Sequence, residues 1–493
     1  MSTLRPEHPS DGSALVPPPG CPAHGQGDAG ISRLHGPEAE RDPAALYERL
    51  RRQYGPVAPV LLHGDLPAWL VLGHRENLDV ARTPSLYSRD SRRWRMFQEG
   101  RVAADSPLGP TVGWQPICVF ADGEEHQRLR GAVTDSLAQF DRRGVRRYVV
   151  RHTKQLVGTF AEAGRADLIP QYAEKLPMLV MTQLLGMPEE YGPRLVRACL
   201  DLMKGSETAL ASNDMLVVTL RELVRRKRET PGRDLASWLI GHEAGLSDDE
   251  VMEHLRLVLV AANETTVNLI ANTLRMVLTD PRFRANLAGG HMTLPDALEQ
   301  VLWDAPPLSV IPGRWATGDT VLGGRQIRKG DMLLLGVAAG NADPEIRPDL
   351  TAPVHGNRSH LAFSSGPHEC PGQDIGRAIA AEAIDTLMTE LPGLTLTVPE
   401  SELRTSTSWV SQRVDTLPVT FPARRAPAGD GSTTRSRVRL PELPEVTQGG
   451  AAAVASGVAS GVPSGVASGV PSGVPGGVLT ARRPWWKSLL PRR

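Results

Sequence analysis

The chain of 493 residues carries 55 Lys and Arg against 55 Asp and Glu, so its formal charge is balanced. A nucleic-acid binder would carry a basic excess, and there is none. The 4 cysteines, Cys21, Cys118, Cys199 and Cys370, lack metal-type spacing. That argues against a disulfide scaffold or a zinc cluster and fits a reducing cytosol.

Residues 1–30 are rich in Pro, Gly, Ser and charge and lack the basic start and apolar run of a secretory signal. They are expected to form a disordered N-terminal segment of a cytoplasmic protein. Residues 31–424 read as one compact unit, mainly α with minor β. Hydrophobic periodicity predicts helices over 43–54, 124–137, 145–163, 172–185, 215–227, 247–279, 297–303 and 372–391. Strands are predicted over 69–72, 314–316, 320–322 and 332–337, with Gly323-Gly324 making a tight hairpin. The most apolar stretch, 255–278, is interrupted by Arg256, Asn263, Glu264, Asn268, Asn272 and Arg275, so it reads as a buried helix and not a membrane span.

Residues 425–493 are expected to be a low-complexity disordered tail. A Pro-, Arg- and Ser-rich stretch leads into a four-residue (Ala/Pro)-Ser-Gly-Val repeat across 455–478, too poor in bulky apolar surface to offset its ordering entropy. The tail ends in a basic and aromatic stretch with Arg482, Arg483, Trp485, Trp486, Lys487, Leu489 and Leu490. Such an end can touch an anionic membrane surface or a partner. The plainer reading is a solubilising tail.

Three segments carry chemistry. Cys370 lies in Phe363-Ser364-Ser365-Gly366-Pro367-His368-Glu369-Cys370-Pro371-Gly372, a turn-rich loop leading into an apolar-striped helix. A helix N-terminus offers unpaired N–H groups and partial positive charge, so it stabilises a thiolate there. Pro371 is predicted at the first helical position, and Gly372 is predicted to let backbone approach the sulfur. A thiolate doing chemistry or holding a metal is one reading, and a buried inert cysteine is the other.

The second segment is a long helix. Ser247 and Glu250 form a predicted capping box, with Leu246 stapled to Val251. Its middle, Ala261-Ala262-Asn263-Glu264-Thr265-Thr266, puts polar groups into an apolar helix, which requires partners, water or a site. Alternatively Thr265 bonds back within the helix and Glu264 forms a structural ion pair. In the third segment His126 and Arg130, four apart, share one helical face beside Leu129 and Val133. Alone they read as a solvated charged face.

The loop around Cys370 resembles the haem-binding loop of the cytochrome P450 family, Phe-Gly-x-Gly-x-His-x-Cys-x-Gly. Phe363, Gly366, His368, Cys370 and Gly372 match, and Ser364 replaces the first glycine. The resemblance covers about residues 31–424. It implies the P450 fold, with haem b between a long central helix and the cysteine loop, and Cys370 as the proximal iron ligand. The central helix resembles the distal (Ala/Gly)-Gly-x-(Asp/Glu)-Thr motif. Glu264 and Thr265 match its acid–alcohol pair, which manages protons, and Ala262 replaces a glycine and narrows the groove. His126, Arg130, Arg314 and His368 match residues that anchor the haem propionates.

One motif is broken. The family's Glu-x-x-Arg pair, aligned on Pro306-Pro307, falls on Gln300 and Trp303; shifting to Glu299 puts Leu302 at the arginine position. Replacing both members with neutral groups is close to neutral energetically, whereas losing one costs roughly 3–5 kcal/mol. Gln300 is expected to keep a hydrogen bond and Trp303 to fill the volume while its indole N–H donates. A bacterial subgroup of the family shares this loss. Arg358 reads as a relic of the family's aromatic-Arg meander.

The resemblance therefore implies a bacterial-type soluble monooxygenase that inserts one oxygen atom from O2 into a small, largely apolar substrate. No flavin or iron–sulfur domain is visible, so electrons are expected from a ferredoxin and its reductase. Segments 93–116 and 203–216 are the expected pocket walls. The alternative is a haem-binding sensor or interaction module that does not turn over.

Overall fold

The computed structural model describes residues 30–424, apart from 104–105, 205–208, 282, 284–289, 291 and 355. The two terminal segments expected to be disordered, the repeat and the Arg482 end among them, lie outside the described residues. So does part of the expected wall at 203–216.

The architecture is organised around one helix. Ser247 accepts from Glu250 N–H while the Glu250 carboxylate accepts from Ser247 N–H, and this capping box opens the 32-residue helix Asp248–Thr279. At 1.5 Å per residue it is about 48 Å long. Its length and apolar composition would suffice to cross a membrane. Here Leu255, Leu259, Val267, Ile270, Leu274 and Val277 are instead buried in the core. Helices Leu176–Leu184, Ala209–Glu229, Leu294–Asp304 and Gln373–Glu390 pack around it. Two of the amides that interrupted the apolar stretch donate outside the helix. Asn268 donates to Pro307 O at 3.0 Å and Asn272 to Ala305 O at 3.0 Å, fixing the exit of the Leu294–Asp304 helix.

A five-stranded sheet forms the second layer, in the order Val57–Leu62, Leu66–Val71, Met332–Leu335, Ile311–Ala316, Tyr87–Ser88. Leu66–Val71 runs parallel to Met332–Leu335, and the other pairings are antiparallel. The first strand contains Pro59 and was not predicted; an edge position tolerates the missing N–H. The Gly323-Gly324 hairpin is present, with φ of 53° and 75° at the two turn residues and Leu322 paired with Arg325. The strand predicted over 332–337 stops at Leu335, and Val337–Asn341 turns helical. A register shift between Ile311 and Arg314 matters for the site, because it leaves the Pro312 and Gly313 carbonyls free to accept from elsewhere.

Candidate functional site

The Cys370 loop is closed on itself. Cys370 N–H donates to Phe363 O at 2.9 Å, and Ser364 N–H to Leu361 O at 2.8 Å. Two residues carry the bend in the left-handed region, Gly366 at φ 71° and Ser364 at φ 60°. Only glycine fits at 366, since a Cβ there would come 2.6 Å from Ala81 O. Arg82 Nε donates to Ser365 Oγ at 2.8 Å, tying the loop to the helix His74–Arg82.

The expected position of Pro371 is corrected: the helix begins at Gln373, with Gly372 as its N-cap, so Pro371 precedes the first turn. Gly372 has open space on its Cβ side. Its contribution is an N–H aimed at the sulfur, which, with Arg130 and Arg377, favours the thiolate. Burial outweighs these and holds the Cys370 thiol above its ordinary pKa.

Beside the loop is a cluster of basic side chains. The His126 and His368 rings lie 4.1 Å apart, centroid to centroid. Arg314 is only 2% exposed, and the hydrogen bond it makes is to its neighbour's Gly313 O at 3.3 Å. Sequence reasoning missed a fifth basic side chain, Arg89. Its side chain donates to Val119 O at 3.0 Å and to Pro312 O and Gly313 O at 2.6 Å each. Among the described residues the acceptors of the Arg89 and Arg314 guanidiniums are all backbone carbonyls.

Asp122 is the anion of the cluster. It accepts from Ser88 Oγ and from Arg89 N–H at 3.2 Å, and lies 3.6 Å from His368 Nε2. Although burial raises its pKa, these donors bring it down to about 2. Burial, Arg89, Arg314 and His126 hold His368 at about 3 against the pull of Asp122. Burial and Arg130 lower His126, with smaller pushes from Arg314 and Arg89. Burial and Asp122 leave Arg89 at about 10, and burial with Arg89 pushes Arg314 well down. Buried guanidiniums repelling each other, and an unpartnered buried Nε2 on His126, are what a dianionic group would relieve. The donor set fits the two carboxylates of haem.

Of the residues predicted for this role, His126, Arg314 and His368 come together. Arg130 stands at the edge: its Nη2 donates to Glu369 O and its Nε to Thr134 Oγ1 at 3.0 Å, so it clamps the loop one residue before the sulfur.

On the central helix, Val260 and Ala261 are exposed although the helix is otherwise core. One turn on, Thr265 Oγ1 donates to Ala261 O at 2.8 Å, the back-bond allowed for in the sequence. Among the described residues Glu264 has no ion-pair partner. Burial raises its pKa, Arg413 opposes this, and Ser411 Oγ approaches Oε1 at 3.5 Å. Arg413 itself bonds Glu174 at 2.9 Å. On the other wall, Arg256 Nη2 donates to Gln115 Oε1 at 2.8 Å, joining the 93–116 segment to the central helix.

The broken Glu-x-x-Arg motif is occupied as its residue types suggest. Gln300 Oε1 accepts from Val354 N–H at 3.0 Å, and Trp303 Nε1 donates to Asn357 O at 2.8 Å. One finding was not anticipated. Glu299 is a buried carboxylate bonded to Arg377 and His360, with Arg358 at 3.5 Å. Its partners lie 61 and 78 residues away, beyond any local pattern.

Comparison with known proteins agrees with this geometry. No family model matches the chain. It is 31% identical over 374 residues to cytochrome P450-SU2 of Streptomyces griseolus, covering 74% of this chain and 91% of that protein. It is 30% identical to the vitamin D(3) 25-hydroxylase of Pseudonocardia autotrophica, covering 78% and 95%. The solved structure of CYP154C4 from Streptomyces sp. ATCC 11861 superposes with a TM-score of 0.72 at 28% identity, covering 80% of this chain and 98% of that one. The chain belongs to the cytochrome P450 family. It is a haem-thiolate monooxygenase, an oxidoreductase with an iron protoporphyrin cofactor. Bacterial members use O2, a substrate and separate redox partners.

Proposed function

We propose that Cys370 is the proximal ligand of haem b, and that His126, Arg314 and His368, joined by Arg89, receive its propionates. Arg130 supports them by holding the Glu369 carbonyl. Phe363, Gly366 and Gly372 shape the loop beneath. When bound, the haem supplies an iron whose thiolate ligand favours O–O cleavage. The single observation that carries the reading is the pairing of a sulfur beside a helix N-terminus with two buried guanidiniums that hydrogen-bond only backbone carbonyls.

Glu264 and Thr265 hold and pass protons on the distal side. A carboxyl kept above its ordinary pKa by burial is suited to donating as well as accepting at neutral pH. Ser411 is its nearest hydroxyl. The substrate is a small, largely apolar molecule oxidised beside Val260 and Ala261. Relatives named for vitamin D(3) and for a hydroxynaphthoate support a compact hydrophobic substrate class. Electrons come from a ferredoxin and its reductase in the cytoplasm. The catalytic unit is 31–424.

The test is the carbon monoxide difference spectrum of the reduced protein. Wild type gives the strongly red-shifted Soret band of a thiolate-ligated haem, and Cys370→Ser does not. An unchanged band in that variant overturns the ligand assignment.

A further inference from the structure

We propose that Glu299, with Arg377, His360 and Arg358, is the ionic lock that positions the Cys370 loop in this chain, in place of the Glu-x-x-Arg pair missing at 300 and 303. The proposal rests on the reading that this loop carries the haem ligand. These are positioning residues, since none bears on the reacting atoms.

Glu299 lies on the inward face of the helix Leu294–Asp304 and is 2% exposed. A carboxylate so placed requires compensation at both oxygens. Arg377 approaches as a fork, Nε donating to Oε1 at 2.7 Å and Nη2 to Oε2 at 3.3 Å. Ala362 N–H donates to His360 Nδ1 at 3.3 Å, which puts the ring proton on Nε2, and that atom donates to Oε2 at 2.9 Å. Arg358 Nε closes the set from the solvent side, 3.5 Å from Oε1. Burial would raise the pKa of Glu299, yet His360 and Arg377 bring it below the ordinary carboxylate value, so the site holds an anion.

The donors come from both ends of the cysteine loop. His360 precedes it. Arg377 follows it, in the second turn of the helix Gln373–Glu390. Between them the Arg377 guanidinium lies 4.4 Å from the Phe363 ring centroid, and the His360 ring centroid lies 5.7 Å from it. Phe363 is also the residue whose carbonyl accepts the Cys370 N–H. One carboxylate thus holds both residues that flank the loop, and both of those contact the Phe363 ring. Gln300 accepts from Val354 N–H and Trp303 donates to Asn357 O, both upstream of the loop, and neither bonds Arg377.

The test uses the haem-loaded full chain with Glu299→Gln, Arg377→Ala and the double variant. Two readouts are taken: the rate of haem transfer to excess apomyoglobin, and hydrogen exchange in the peptide spanning 360–377. Each single variant is expected to release haem at least tenfold faster and to lose protection in that peptide. The double variant is expected to be no faster than the worse single, because both remove one interaction. Rates within twofold of wild type, or effects that multiply in the double variant, overturn the proposal. Arg377→Lys keeps the charge but not the fork and covers the case in which the others do not fold. It is expected to release haem two- to fivefold faster, and a wild-type rate counts against the lock. A wild type without a thiolate band would defeat the ligand reading alone, and loop exchange would still decide whether Glu299 holds this segment.

Discussion

Trp303→Ala tests whether the volume vacated by a family arginine has become a packing centre. The indole is 2% exposed. It stacks on His74 with centroids 6.2 Å apart, meets His360 edge-on at 6.0 Å, and has the Arg347 guanidinium 5.4 Å from its ring. Burying about 200 Å² of aromatic side chain at ~25 cal/mol/Å² is worth about 5 kcal/mol. Truncations of this kind cost roughly 3–5 kcal/mol after partial relaxation. The Asn357 carbonyl also loses its donor, which adds about 1 kcal/mol. We therefore expect about 5 kcal/mol of destabilisation for Trp303→Ala. For Trp303→Phe, which keeps most of the ring contact and loses the N–H, about 1.5 kcal/mol is expected. Urea unfolding of the haem-loaded proteins, followed by far-UV circular dichroism at fixed free haem, measures both. A loss below about 1.5 kcal/mol for the alanine variant, or equal losses for the two, would refute the argument.

Ser364→Gly should stabilise the protein by about 1 kcal/mol, because a left-handed serine with a buried, unpartnered hydroxyl is replaced by the residue that tolerates that backbone. A lowered melting temperature would contradict this. Gly366→Ala, whose methyl would meet Ala81 O at 2.6 Å, is expected to cost at least about 2 kcal/mol and to reduce haem retention; wild-type melting and haem content would disprove the close approach. Thr265→Ala is expected to leave haem content normal while uncoupling oxygen consumption from product. Unchanged coupling would confine the hydroxyl to its bond with Ala261 O.

What could be read in advance was local. Ser247, Glu250 and the apolar run behind them specify a capped core helix through contacts within a few residues, and that helix is present with its capping box intact. Gly323-Gly324 likewise encodes its own turn. The loop motif at 363–372 could be recognised because its residues are contiguous. Arg89 could not be, since a single arginine after a two-residue strand has no pattern, and its role arises from carbonyls 223 and 224 residues away. Glu299 was visible only as a failed register of a known motif, because its partners flank the cysteine loop, 61 and 78 residues away. The start of the last helix was misjudged at Pro371 because two residues there each favour an N-terminal position, and Gly372 took the cap.

The pocket formed by Arg89, His126, Arg314 and His368 makes cofactor uptake part of folding. With the Arg89 and Arg314 guanidiniums crowded out of water, they repel each other at that spot, and a dianion seated there removes the repulsion. Conformational stability then scales with the logarithm of free porphyrin concentration. A cell short of iron or porphyrin would hold less of this protein, through clearance of the loosened chain, before any change in its transcription.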